Sequence, residues 1–179
     1  MTPDSKKSGS SDLDQMYGEI ILDHQRDPRN FGCPPCCDHR EEGFNPLCGD
    51  RVILSLDLDA DAKTVKAVHF EGEGCSISMA SASILTEEVA GKSVDEVMKM
   101  IGEFRGAMLG GELGQELSTA LPGDAAALSG VRKFPVRIKC ALLAWTTLKK
   151  AVEAVGAPGE SGTSAGAGTA SDSKGGSHG

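Results

Sequence analysis

From Val52 to Leu58 the chain alternates. Val52, Leu54, Leu56 and Leu58 are apolar, while Ser55 and Asp57 between them are polar. A period of two predicts a strand with one buried face. Asp59 to Lys63 reads as a turn, Val65 to Glu71 as a second strand antiparallel to the first, and Glu41 to Leu47 as a third. Elsewhere the period is helical. Leu13, Met16, Tyr17, Ile20, Ile21 and His24 share one face, with Ser11 or Asp12 as cap. That helix is expected to end before Asp27-Pro28, because a residue preceding proline avoids the helical region. Ile77, Ala80, Ser81, Ile84 and Leu85 share a second face. Ser93 caps a helix carrying Val94, Val97, Met98 and Ile101. Residues 105–130 carry no clear period and are broken by Gly110-Gly111 and Pro122-Gly123. After Pro135 a last apolar stripe runs through Ala141, Ala144, Trp145, Leu148, Val152 and Val155. Strands first and helices afterwards predict an α+β domain, with helices packed on a small antiparallel sheet of about three strands.

Composition narrows the picture. Residues 1–12 hold almost nothing to bury, and 156–179 contain no Leu, Ile, Val, Phe or Met and eight of the 23 glycines. Both are expected to be disordered tails, since they cannot offset their ordering entropy; the folded unit is then 13–155. His178 falls in the second tail and reads as incidental. The longest uninterrupted apolar run, Ala141–Trp145, is far short of a membrane span. The polar N-terminus has no apolar export core, so a cytoplasmic location is expected. With 18 Lys and Arg against 26 Asp and Glu, the formal charge is −8. That balance argues against nucleic acid as the main partner, because phosphate binding needs clustered cations.

Six cysteines without an export signal point to reduced thiols, and so to metal or sulfur chemistry. Three lie at junctions: Cys48 in a turn before a strand, Cys75 between a strand and a helix, and Cys140 near the start of the last helix. Together with Asp50 they could supply three sulfurs and one oxygen to a closed tetrahedral zinc site. A helix N-terminus is expected to lower the pKa of Cys75 and Cys140. Arg132, Lys133, Arg137 and Lys139 surround Cys140 in sequence and favour its thiolate. Asp50, the harder ligand, is expected to leave first if the site opens. Plainer readings stand beside these. A free cysteine is often a small buried hydrophobe, and a Gly-Asp pair often marks a turn. Cys33, Cys36 and Cys37 form a separate cluster with one C-x-x-C spacing, open to a metal or redox role. His24 reads as a core histidine, while His39 and His69 read as surface residues.

Several motifs resemble a known family. Tyr17-Gly18-Glu19-Ile20-Ile21-Leu22-Asp23-His24 with Pro28-Arg29-Asn30, Asn45-Pro46-Leu47-Cys48-Gly49-Asp50-Arg51, Phe70-Glu71-Gly72-Glu73-Gly74-Cys75-Ser76, and Lys133-Phe134-Pro135-Val136-Arg137-Ile138-Lys139-Cys140-Ala141 stand in this order. They are similar to the SufU family, the zinc-containing branch of the IscU/NifU-like iron–sulfur cluster assembly proteins. The residue before Cys140 is Lys139, where IscU-type scaffolds carry histidine, and their Leu-Pro-Pro-Val-Lys chaperone motif is absent. The stretch before Phe134 is similar to an insertion of SufU-type members. The Cys33–Cys37 segment matches no family motif.

The resemblance implies Zn2+ held by Cys48, Asp50, Cys75 and Cys140. It implies a SufS-type, PLP-dependent cysteine desulfurase as partner, with the SUF cluster assembly machinery downstream. Sulfur would pass from a persulfide to a thiolate here, making the chain a zinc-dependent sulfurtransferase. A desulfurase histidine would displace a ligand and free Cys48, the first choice of acceptor, with Cys140 second. Two alternatives stand: a scaffold for a transient [2Fe–2S] cluster, and a purely structural zinc domain.

Overall fold

The computed structural model describes residues 8–110 and 121–156, and side chains from Asp14 to Gly110 and from Leu121 to Val155. Helix α1 spans Ser8–Arg26, and strands β1 His39–Asn45, β2 Asp50–Leu58 and β3 Val65–Glu73 follow. Helices α2 Ser76–Val89 and α3 Val94–Leu109 come next. A 3-10 helical segment, Gly123–Lys133, and the long helix α4, Pro135–Gly156, complete the order. The sheet is antiparallel, in the order β1-β2-β3, as the alternation predicts.

Three boundaries differ from expectation. β1 lies two residues earlier, at His39–Asn45, than the expected strand over 41–47, so the turn at 46–49 carries Leu47 and Cys48. α1 begins at Ser8, ahead of the expected start near Leu13, so part of the expected N-terminal tail is helical. Residues 8–12 contain no apolar side chain; the helical ladder continues past the stripe that marks its packed part. The unclear region 105–130 divides. α3 runs on to Leu109, stops at Gly110, and the 3-10 segment starts after Pro122. The rest of the expected N-terminal tail (1–7), residues 111–120, and the C-terminal tail beyond Gly156 lie outside the described residues.

One parity governs the sheet. Asp50, Val52, Leu54, Leu56 and Leu58 of β2 face the helices and are all buried. Register carries this face across: Leu54 sits opposite Phe70, Val52 opposite Gly72 and Gly43, and Asp50 opposite Asn45. α2 and α4 lie over it. α2 is buried on nearly every side, from Ser78 to Val89. Trp145 of α4 stacks on Phe104 of α3, with centroids 4.0 Å apart and planes within 11°. Such pairs add about 0.5–1.5 kcal/mol beyond area burial. The Trp145 indole donates to Ser81 Oγ at 3.1 Å, and Ser81 donates to the Ala141 carbonyl at 2.6 Å, fastening α2 to α4.

His24 is a core histidine, as expected, and 1% exposed. Its ring nitrogens meet Ser83 Oγ at 2.8 Å and Asp124 Oδ2 at 3.0 Å. One imidazole thereby joins α1, α2 and the 3-10 segment. Ser93 and Glu96 form a reciprocal capping box at α3, the cap expected at Ser93.

Close approach of β1 to α4 depends on Gly43. A Cβ there would lie 2.0 Å from Thr147 Oγ1 and 3.2 Å from Leu143 Cδ1. Gly43→Ala is therefore expected to destabilise the domain by about 1–3 kcal/mol, read from the urea unfolding midpoint. Adding Thr147→Ala should recover part of the loss.

Candidate functional site

The alternation that buries Val52 and Leu54 also turns Asp50 and Asn45 inward at the strand ends. Asp50 is fully buried and Asn45 is 5% exposed. Between them the β1–β2 hairpin tip carries Cys48. The tip closes through Gly49 N–H donating to the Asn45 carbonyl at 2.9 Å and Leu47 N–H donating to Asn45 Oδ1 at 3.3 Å. Gly49 sits at φ +73°, a left-handed conformation that glycine adopts without Cβ strain. β3 ends nearby, and Cys75 occupies the N-cap of α2. Its backbone N–H donates to Asp50 Oδ1 at 2.8 Å. Cys140 enters from the second turn of α4, fully buried.

The structure brings the four sequence-predicted ligands together. Cys140 Sγ lies 3.3 Å from Cys48 Sγ, and Cys75 Sγ lies 3.9 Å from Asp50 Oδ2. Ligand atoms of Cys48, Asp50 and Cys140 all fall within 4.8 Å of one another. A tetrahedral zinc with ordinary Zn–S and Zn–O bonds sets its ligands about 3.5–3.8 Å apart; Cys48, Asp50 and Cys140 approach that spacing, while Cys75 stands beside Asp50 but outside this close group. Asn45 was not singled out from the sequence. Its Nδ2 points at both Asp50 Oδ2 and Cys140 Sγ, at 3.4 Å each. The available signal was a polar side chain on the inward parity of a strand end.

Three electrostatic expectations change. Cys140 sits in the second helical turn, past the reach of the helix dipole, and burial pushes its thiol well above the usual range. Neighbouring Asp50, Cys48 and Cys75 push in the same direction. The basic residues around it in sequence do not act together. Arg137 is hydrogen-bonded to Cys75 and feels all three sulfurs, which strengthen its hold on its proton. Lys133 instead pairs with Asp14 at 2.6 Å, and Lys139 is exposed. Asp50, expected to leave first, is buried and held by the Cys75 amide. The exposed donor is Cys48.

Around this centre lie exposed apolar side chains: Leu47, 61% exposed, and Phe134 and Val136, each 62%. A cleft of about 620 Å³ opens between Cys75, Ile77, Phe134 and Arg137. A narrower apolar hollow of about 280 Å³ continues past Phe134 to Tyr17, Ile21 and Val131.

The remaining candidates stay apart from the site. His24, Glu87 and Asp124 also place ligand atoms within 4.8 Å. Both His24 nitrogens are engaged, however, and Arg29 Nε lies 3.9 Å from Glu87 Oε2, so this group reads as a structural tie. His39 is half-buried and meets Glu41 at 3.3 Å. His69, expected to face solvent, is half-buried with an enclosed Nδ1. Cys33 and Cys36 are exposed and Cys37 half-buried. No helix among the described residues is long and apolar enough to cross a membrane.

Residues 16–156 match the model of the NifU-like N-terminal domain family. The chain is 43% identical over 145 residues to the zinc-dependent sulfurtransferase SufU of Bacillus subtilis, covering 81% of this chain and 95% of that protein. It is 36% identical over 143 residues to the iron–sulfur cluster assembly scaffold protein IscU of Streptococcus pyogenes, covering 80% and 86%. A solved SUF-system iron–sulfur cluster assembly scaffold protein from Fervidobacterium islandicum superposes with a TM-score of 0.67 at 34% identity, over 77% of this chain and 97% of that one.

Unequal exposure sets unequal thiol reactivity. In metal-free protein, alkylation by iodoacetamide followed by peptide mass spectrometry is expected to label Cys48 first and Cys140 last of the three. Equal rates would contradict the burial described here.

Proposed function

The chain belongs to the NifU-like N-terminal domain family, and from this premise we propose that it works in iron–sulfur cluster assembly by taking persulfide sulfur from a cysteine desulfurase onto a zinc-thiolate site. The observation that carries this reading is the pairing of Cys48, an exposed residue of the hairpin tip, with the buried Cys140, their sulfurs 3.3 Å apart. Cys48, Asp50, Cys75 and Cys140 would hold the zinc, which when bound keeps thiols ionised and shielded from oxidation.

The chain's own residues divide the work. Asp50, Cys75 and Cys140 form a floor fixed by strand and helix ends. Cys48, on a hairpin tip, can reach outward. Its thiolate attacks the outer sulfur of the desulfurase persulfide. The bond between the two partner sulfurs breaks, the desulfurase cysteine leaves as a thiolate, and Cys48 carries the persulfide. Arg137 stands beside the sulfurs and offsets the negative charge that three thiolates and a carboxylate bring. Leu47, Phe134 and Val136 supply the exposed apolar rim on which a protein partner docks. A SufS-type desulfurase and the SUF cluster assembly machinery are the partners this reading names, in the cytoplasm. The likeness to IscU scaffolds favours a second reading, in which the same four residues hold a transient [2Fe–2S] cluster as cargo.

Cys48→Ala is expected to abolish stimulation of desulfurase turnover, measured as sulfide or alanine released; full stimulation by that variant would remove Cys48 as acceptor. Asn45→Ala removes the amide that touches two ligands. It is expected to weaken zinc retention by about 10–100-fold in chelator competition, a loss larger than the accompanying fall in the thermal midpoint of the zinc-free protein accounts for.

A further inference from the structure

The sheet has a second face, opposite the helices, and it carries an unexplained polar pair. Arg40, Ser55 and His69 form one row across β1, β2 and β3, on the parity opposite to Leu54 and Leu56. α2 and α4 cover only the other face. Yet Ser55 is 1% exposed, and both Ser55 Oγ and His69 Nδ1 are buried without a hydrogen-bond partner. Leaving such groups unpaired costs about 1–3 kcal/mol each, so the covering chain requires an account.

That chain is the cysteine segment. Phe31 bridges Phe70 on the free edge of β3, where Gly32 N–H donates to the Phe70 carbonyl at 2.8 Å. At the other end, Asp38 N–H donates to the Leu56 carbonyl at 2.9 Å, and Asp38 Oδ2 accepts from Leu58 N–H at 2.7 Å, beside β1. Between these anchors residues 33–37 must pass from one edge of the sheet to the other. The inner face is filled by helices, and Cys33 Sγ accepts from Arg40 at 3.4 Å on the outer face. The crossing therefore runs over the row that holds Ser55 and His69.

We propose that Cys33, Cys36 and Cys37, with the His69 imidazole beneath them, form a second site, for a thiophilic d10 cation such as Zn2+. The spacing fits, since C-x-x-C places two sulfurs on one ion, and Cys37 and His69 complete a tetrahedral Cys3His set. Pro34 and Pro35 limit the loop's freedom and so lower the entropy lost on closure. The buried, unpartnered Nδ1 is a lone-pair donor with no competing role. Cys33 Sγ now makes only two weak contacts, to Arg40 and to the Pro34 carbonyl, each at 3.4 Å. The ligand atoms are not drawn together to within 4.8 Å as they are for Cys48, Asp50 and Cys140, so the site requires the 33–37 segment to draw in on the ion. Arg40, salt-bridged to Glu71 at 2.6 Å, stays at the rim and offsets the charge of the thiolates. This site is independent of the sulfur-transfer reading.

The test uses the full chain, stripped of metal under reducing conditions, reloaded with excess zinc and desalted. Elemental analysis is expected to give one more zinc equivalent for the unaltered chain than for C33S/C36S/C37S, while that variant retains the zinc of the first site. Differential alkylation should show Cys33, Cys36 and Cys37 protected by zinc and exposed again by chelator. Cys48→Ala should lower the first equivalent without unprotecting these three. The same zinc content in the chain and the triple variant overturns the site, as does alkylation of the three thiols at one rate with and without zinc. Retention of the additional zinc by His69→Ala overturns the histidine's part.

Discussion

A carboxylate with no solvent exposure sits where the sheet meets two helix ends. Asp50 is turned inward by the same alternation that buries the apolar residues of β2. Burying such a group is expensive unless it is paired or well hydrogen-bonded. The protein supplies one good bond, the Cys75 amide at 2.8 Å, and one long one, from Asn45 at 3.4 Å. Its other neighbours are sulfurs. An oxygen and three sulfurs together offer far more electron pairs than protons, and Arg137 is the cation that answers them. That imbalance is what a divalent ion would correct.

The fold enforces the arrangement from several directions. Gly74 lies beside Asp50 so closely that a Cβ would meet Oδ1 at 2.9 Å and the Asp50 Cβ at 3.0 Å. Gly72, at φ +150°, has the Arg51 carbonyl where a Cβ would stand. β3 can therefore pass tight against β2 and deliver Cys75 to the carboxylate. α4 is held to the sheet at Gly43 and to α2 at Ser81, which fixes Cys140. The hairpin tip is held by its own turn and by the contact of Cys48 with Cys140. Burial is graded across the four residues: Asp50 and Cys140 are buried, Cys75 is half-buried and Cys48 is exposed.

Much of this was legible in the residues. The period of two located β2 and β3, and Ser93 with Glu96 located the start of α3. Cys48, Asp50, Cys75 and Cys140 stood out as junction residues, and their order resembled a family pattern. Geometry was not legible. Cys140 falls on the apolar stripe of α4, one turn before Ala144, so it is buried like a small hydrophobe while its sulfur still lies 3.3 Å from that of Cys48. Charge counted along the chain suggested four cations near that thiol; in space Arg137 faces the sulfurs and Lys133 is spent on Asp14. Asn45 was missed because one polar residue near the end of the expected 41–47 strand marks no site by itself. Residues 8–12 were assigned to a tail because they have nothing to bury, and a helical ladder does not need burial to continue for another turn.

Exposure also bears on the choice between relay and scaffold. A cluster scaffold gains from holding all its ligands equally, since each iron–thiolate bond stabilises the cargo. Here Cys48 is an exposed residue, while the sulfur 3.3 Å from its own belongs to the fully buried Cys140. Lys139, the residue before Cys140, is exposed and, among the described residues, hydrogen-bonds to none of the sulfurs. Among the three cysteines near Asp50, the most accessible is Cys48, which sits on the β1–β2 hairpin tip. An attacking thiolate must reach beyond its own protein, and a surface hairpin permits this where a helix interior does not. The geometry thus favours a sulfur that leaves the centre to meet a partner over a cargo that is built within it.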